Sequence, residues 1–209
     1  PFTLGMGKFL PSFLLFKMWS VLGMLVTAGG VVWWLYKTQQ RDRLWLVLLV
    51  FANPLLLLEL TMTGHNDGWM LAPAVWMLAL LQTKTPKTIW VRAMFAMLLL
   101  LFSISIKFAT FVLLPLALLC IHSEWWQRRL TPALLAFAAS VLLFLPLMTS
   151  RSQYFHPWYL SWSLVWLPMV RVRYWWIWLM ALSISSTFRY LPWIYAGGFE
   201  GNVLFQQQL

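Results

Sequence analysis

Leu101-Phe102-Ser103-Ile104-Ser105-Ile106-Lys107-Phe108-Ala109-Thr110 interrupts an apolar run that extends from about Ala93 to Ile121. The run is too long for one membrane span, which takes about 20 apolar residues, and too short for two generous ones. Two serines and a lysine at its centre divide it into two short or tilted helices. That division decides the fold, because it sets which side of a membrane every later loop faces.

Working outward, the rest of the chain has the same character. Of 209 residues, 62% are hydrophobic and 10% charged, against about 25% charged in a soluble domain, and the mean hydropathy is +0.76. The expected fold is therefore all-α, a polytopic transmembrane helical bundle of about eight spans, some short or kinked. Besides the two halves of 93–121, spans are expected near Phe9–Tyr36, Leu44–Leu60 with a kink at Pro54, Trp69–Gln82, Pro132–Met148, Leu160–Val170 and Tyr174–Tyr190. Residues 1–209 read as one transmembrane domain. The chain begins at Pro1 with no signal-peptide layout, and is expected to be a fragment of a longer protein lacking its N-terminal spans. Many of the 16 tryptophans sit at segment ends, as an interfacial belt requires. The single Cys120 excludes an internal disulfide and reads as a small packing residue.

The formal net charge of +10 does not indicate a nucleic-acid partner, because the basic residues lie mainly in short loops between apolar runs. With the split at Lys107, alternate loops fall on opposite sides. One side receives Lys37, Arg41, Arg43, Lys84, Lys87, Arg92, Arg128, Arg129, Arg171 and Arg173, ten of the fifteen basic residues. By the positive-inside rule it is cytoplasmic. The opposite face receives His65, Asn66, Asp67, Lys107, Arg151, Tyr154, His156, Trp158 and Tyr159, with Glu59 and Lys17 near it.

Several of these residues carry candidate chemistry. Glu59 ends the apolar run Pro54–Leu60, where an ionisable group is costly and usually faces a partner or a wet cavity. Its charge at a helix C-terminus opposes the macrodipole, so helix stability does not explain it. Gly64-His65-Asn66-Asp67-Gly68 follows as a polar turn in which Asn66 or Asp67 suits the N-cap of the next helix. His65, Asp67 and Glu59 could also ligate a divalent cation, although no cofactor is required by the sequence. Lys107, deep in an apolar region, needs either a structural partner such as Glu59 or Asp67 or an anionic group such as a phosphate at the membrane surface. Lys17 poses the same choice, with snorkelling as its plain alternative. Tyr154–Trp162 reads first as an aromatic belt, yet His156, Trp158 and Tyr159 would also suit a sugar ring. No nucleophile elbow, Gly-rich phosphate loop, dinucleotide fingerprint or zinc spacing is present.

Asn53-Pro54 with Glu59 and Gly64-His65-Asn66-Asp67, then Lys107, then His156-Pro157-Trp158-Tyr159-Leu160 before another span, together resemble bacterial GT-C type membrane glycosyltransferases. The nearest are the polyprenol-phosphate-mannose-dependent mannosyltransferases, over roughly residues 50 to 170. The resemblance implies transfer of a hexose, such as mannose, from a polyprenyl-phosphate-linked donor to a glycan or lipid-linked acceptor. The reaction would take place at the non-cytoplasmic face of a bacterial plasma membrane, with membrane lipid as a partner. Lys107 and Lys17 would meet the donor phosphate, while Glu59, His65, Asn66, Asp67, His156, Trp158 and Tyr159 would bind sugar or acceptor. Such enzymes typically carry a catalytic carboxylate in their first external loop, which is expected upstream of this sequence, so Asp67 is not assigned that role. The alternative is a transporter or flippase of a lipid-linked or anionic substrate, using intramembrane Lys and Glu and helices broken at Pro54 and Pro115.

Overall fold

The computed structural model describes residues 6–62, 65–82, 89–122, 129–148, 156–191 and 195. Among them every regular element is helical: α1 Met6–Lys37, α2 Leu44–Phe51, α3 Pro54–Leu57 running into a π-turn Leu58–Met62, α4 Asp67–Leu81, α5 Ile89–Ile106, α6 Leu114–His122, α7 Pro132–Phe144, α8 Ser161–Leu164 and α9 Arg173–Thr187.

Helix α1 contains the clearest apolar span, Pro11–Lys37. At 27 residues and 1.5 Å per residue it reaches about 40 Å, more than the hydrocarbon core of a bilayer. Its buried stripe, Ser20, Gly23, Thr27, Gly30, Val31 and Trp34, recurs at helical spacing. Four of those six are small or hydroxylated, and they let α4 come close. A Cβ on Gly23 would lie 3.0 Å from the Trp69 ring, and one on Gly68 would lie 3.0 Å from the Gly23 backbone. Trp69 Nε1 donates to Trp19 O at 2.9 Å and Trp76 Nε1 to Val26 O at 3.1 Å. The pairing advances in the same direction along both chains, so α1 and α4 are parallel. Helix α4 is the central element, buried along nearly its whole length.

The expected kink near Pro54 is present, with α2 and the α3 segment bent by 63°. Its local cause is Asn53, which caps α3 by accepting from Leu55 N at 2.9 Å. Pro54 occupies the first helical position, where the missing N–H is not needed. The break at Lys107 is present too. Its backbone is extended (φ −147°, ψ 128°) between α5 and a 3₁₀ turn, Phe108–Leu113. Ser103 Oγ reaches Met70 O at 2.7 Å and Thr110 Oγ1 at 2.9 Å, stapling the break to α4.

The segment expected as a short span, Leu160–Val170, is not a regular helix. A 3₁₀ turn (Pro157–Leu160), the four residues of α8 and further turns thread the bundle interior, and every residue from Leu160 to Val170 is buried. Irregular backbone survives at such depth only when sheathed by protein. Its polar groups are met from neighbouring helices: Ser140 and Ser163 exchange hydroxyl-to-carbonyl bonds at 2.9 and 2.8 Å, and Arg43 donates to Pro168 O and Val170 O at 2.9 and 2.6 Å.

By length and composition, one helix among the described residues can cross a membrane, or two if the bent α2–α3 pair is one span. Four shorter apolar helices accompany them. The eight spans expected from sequence are therefore not all present as full-length helices. Around the N-terminal half of α1, Phe13, Leu14, Leu15, Phe16, Met18 and Trp19 are exposed on all sides, an apolar surface suited to lipid.

Candidate active site

Parallel α1 and α4, antiparallel α4 and α5, and the returning α9 bring most of the chemistry-bearing residues to one end of the bundle. At the other end lie Arg43 and the Arg171 side chain, which reaches Gln40 Oε1 at 3.5 Å.

Asp67 begins α4 and is fully buried. Its Oδ1 accepts from Lys107 Nζ at 2.6 Å and from Trp162 Nε1 at 2.9 Å. Lys107 Nζ also lies 5.7 Å from the centre of the Trp162 ring. A buried carboxylate is tolerable here because an ammonium, an indole N–H and the positive end of the α4 dipole all face it. The other oxygen, Oδ2, is buried without a hydrogen-bond partner among the described residues. Lys107 keeps 28% of its side chain exposed. An ammonium has three donors, and Asp67 takes one.

Beside this pair sits a second polar group. Glu59, also fully buried, is carried on the π-turn after α3, a rare helix form that recurs at functional sites. Tyr190, from the 3₁₀ turn after α9, donates its hydroxyl to Glu59 Oε1. His65 Nε2 lies 3.6 Å from Glu59 Oε2. Aromatic rings join the two groups. His65 packs on Trp158 (4.7 Å between centres), His156 stacks on Trp158 (4.1 Å), Trp158 contacts Tyr159 (5.6 Å), and Tyr159 meets Trp162 edge-on (4.7 Å). Burial lowers the pKa of His156, and the positive charge of Arg189 and the proximity of His65 push the same way. His156 therefore stays neutral near pH 7.

Of the residues singled out from sequence, Glu59, His65, Asp67, Lys107, His156, Trp158 and Tyr159 thus belong to one connected set. Asn66 is exposed and occupies the N-cap position of α4, but its side chain makes no capping bond and Asp67 turns to Lys107 instead, which corrects the capping expectation. Lys17 is half-buried on α1 with its ammonium over the Phe13 ring at 5.1 Å. Arg151 and Tyr154 lie outside the described residues. The three-ligand set of His65, Asp67 and Glu59 is not assembled. Among the described residues no three of His, Cys, Asp and Glu converge, and Asp67 faces an ammonium that would repel a cation.

Two residues of the set were not singled out beforehand. Trp162 lies four residues after Trp158 and three after Tyr159, so helical spacing alone could have placed it on the same face. Tyr190 carries no such signal, because only the return of α9 brings it to Glu59.

Among the described residues every regular element is helical, and one clearly apolar span lies beside a polar cluster at one bundle end, an arrangement that suits association with a membrane. Residues 3–123, more than half of the 209, match the family model described as "Alpha-(1->6)-mannopyranosyltransferase, N-terminal domain". The chain belongs to this mannosyltransferase family, of the GT-C type. The match includes Glu59, the His65–Asp67 turn and Lys107, and stops short of His156–Tyr159. No curated protein and no solved structure matches the chain.

Proposed function

We propose that the protein transfers mannose from a polyprenyl-phosphate-linked donor to a glycan or lipid-linked acceptor at the non-cytoplasmic face of a bacterial plasma membrane. In this reading the chain is a single transmembrane domain, with the shorter apolar helices and the sheathed 157–170 segment completing about eight crossings. Support for the transferase comes from the family. Support for the face comes from the basic loops holding Arg43 and Arg171, which sit at the bundle end away from Lys107.

The observation that carries the donor assignment is Lys107 itself. It is a partly exposed ammonium at a helix break, fixed by Asp67 and Trp162 with two donors to spare. The leaving phosphate gains negative charge as the anomeric bond breaks, and a pre-positioned cation stabilises that charge without reorganising. Lys17 adds positive potential from α1. Asp67, fully buried, holds Lys107 in place, and Asn66, His156, Trp158 and Tyr159 border the sugar and acceptor. The test is to give membranes containing the full-length protein radiolabelled mannose as the polyprenyl phosphate or as a sugar nucleotide, with endogenous donor synthesis blocked. Label should reach the acceptor only from the lipid-linked donor. Transfer from the sugar nucleotide alone would refute the reading.

A further inference from the structure

We propose that the Arg43 end of the bundle is a docking surface for anionic phospholipid headgroups. The inference rests on the membrane placement above and is independent of the transfer chemistry.

Two stretches far apart in sequence meet there, Lys37–Arg43 after α1 and Arg171–Arg173 at the start of α9. Arg43 ties them together by donating to Pro168 O and Val170 O at 2.9 and 2.6 Å. The two stretches carry five cations, Lys37, Arg41, Arg43, Arg171 and Arg173, against one acid, Asp42. Membrane topology alone asks only that such charges lie on one side. Here they are also held in place. Gln39, in the left-handed region at φ 58°, turns the chain out of α1. Gln40 N then donates to Leu35 O at 2.9 Å. The buried Gln40 side chain donates to Thr38 Oγ1 at 3.2 Å and accepts from Arg171 Nη2 at 3.5 Å. Arg41 lies over the Tyr36 ring at 4.0 Å, and Lys37 lies over Trp33 at 5.8 Å.

One carboxylate does not balance five cations gathered this closely. Burial and the neighbouring Arg171 charge lower the pKa of Arg43, with Asp42 acting against them, and an anion beside the two guanidinium groups would relieve that repulsion. Arg41, Arg171 and Arg173 are exposed, and a guanidinium fork matches two phosphate oxygens at once. The aromatic setting favours a lipid headgroup over a soluble anion. Trp45 is 61% exposed and Tyr174 85% exposed, and each has an apolar body with a polar tip that suits the membrane interface. Anionic headgroups concentrate at that interface and attract basic residues close to it.

The test places the full-length protein in nanodiscs of phosphatidylcholine alone or of phosphatidylcholine mixed with phosphatidylglycerol. Phosphatidylglycerol should raise the wild-type melting temperature by about 3 °C or more, and added salt should shrink the rise. The triple variant Arg41→Gln/Arg171→Gln/Arg173→Gln should melt like wild type in phosphatidylcholine and lose the rise. Arg43 is left unchanged because it holds the buried segment. Equal melting of the wild type in both lipids, or a rise that the triple variant keeps, would overturn the proposal. So would the same rise produced by soluble glycerol phosphate in phosphatidylcholine discs, since the surface would then take any phosphate. If the triple variant already melts lower in phosphatidylcholine, the lipid that the wild type retains on release from mixed discs decides. Native mass spectrometry should find phosphatidylglycerol enriched over its share of the mixture, and retention in proportion would refute the docking surface. Failure of the wild type to enter discs would overturn the membrane placement itself, whereas every other outcome leaves the transferase reading untouched.

Discussion

At the scale of single residues, the Lys107–Asp67 pair joins the buried carboxylate of the candidate site to its ammonium. Removing the ammonium strands a fully buried carboxylate, so Lys107→Gln should destabilise by about 3 kcal/mol, the usual cost of breaking a buried pair from one side. Making the pair neutral with Asp67→Asn as well should recover most of that, as thermal unfolding in detergent would reveal. His156 should add a pH dependence. Its pKa is held below the ordinary value by burial, Arg189 and His65, so the unfolded chain binds the proton more readily than the folded one. Stability should fall as pH drops below about 6.5, the unperturbed histidine value. The melting temperature of His156→Phe between pH 7.5 and 5.5 should decline less steeply than that of the wild type. Most of the residue-level site was legible because charge in an apolar chain is conspicuous. Which charges pair was not, since Lys107 could have met Glu59 or Asp67 equally well by sequence.

At the scale of elements, the helix breaks position the site. Asn53 and Pro54 turn the chain so that the π-turn presents Glu59, and the extended Lys107 stands between α5 and its 3₁₀ continuation. Both breaks were legible, one from proline and the other from polar residues inside an overlong apolar run. The 157–170 segment was not. A buried irregular segment and a short span have the same composition, and only the partners Ser140 and Arg43 distinguish them. The close parallel contact of α1 with α4 was also hidden, because it depends on which face Gly23 and Gly68 share. Gly23→Ala places a Cβ 3.0 Å from the Trp69 ring and should cost about 1–3 kcal/mol through overpacking, measurable as a lower melting temperature in detergent. Ser103→Ala should cost about 1 kcal/mol by removing one hydroxyl from the staple at the Lys107 break.

At the scale of the whole molecule, the account places the Lys107 end and the Arg43 end on opposite sides of a membrane. In a Cys120→Ala background, cysteine at exposed Asn66 should react in intact cells with a membrane-impermeant maleimide. Cysteine at exposed Tyr36 should react only after lysis. Labelling of both from outside would contradict the topology. The helical character of the described residues followed from composition, whereas the length of each helix did not, because helices packed inside a bundle can be shorter than those facing lipid. The central claim, that Lys107 receives the donor phosphate, is tested most directly by transfer of labelled mannose from its polyprenyl phosphate in membranes of the full-length protein. The Lys107→Gln/Asp67→Asn variant is compared with wild type and Asp67→Asn, each at matched protein level. The account predicts transfer by the wild type and its loss only when Lys107 is replaced, or most severely then. Undiminished transfer without Lys107 would contradict it, as would movement of labelled lipid between leaflets with no transfer from any polyprenyl-phosphate sugar.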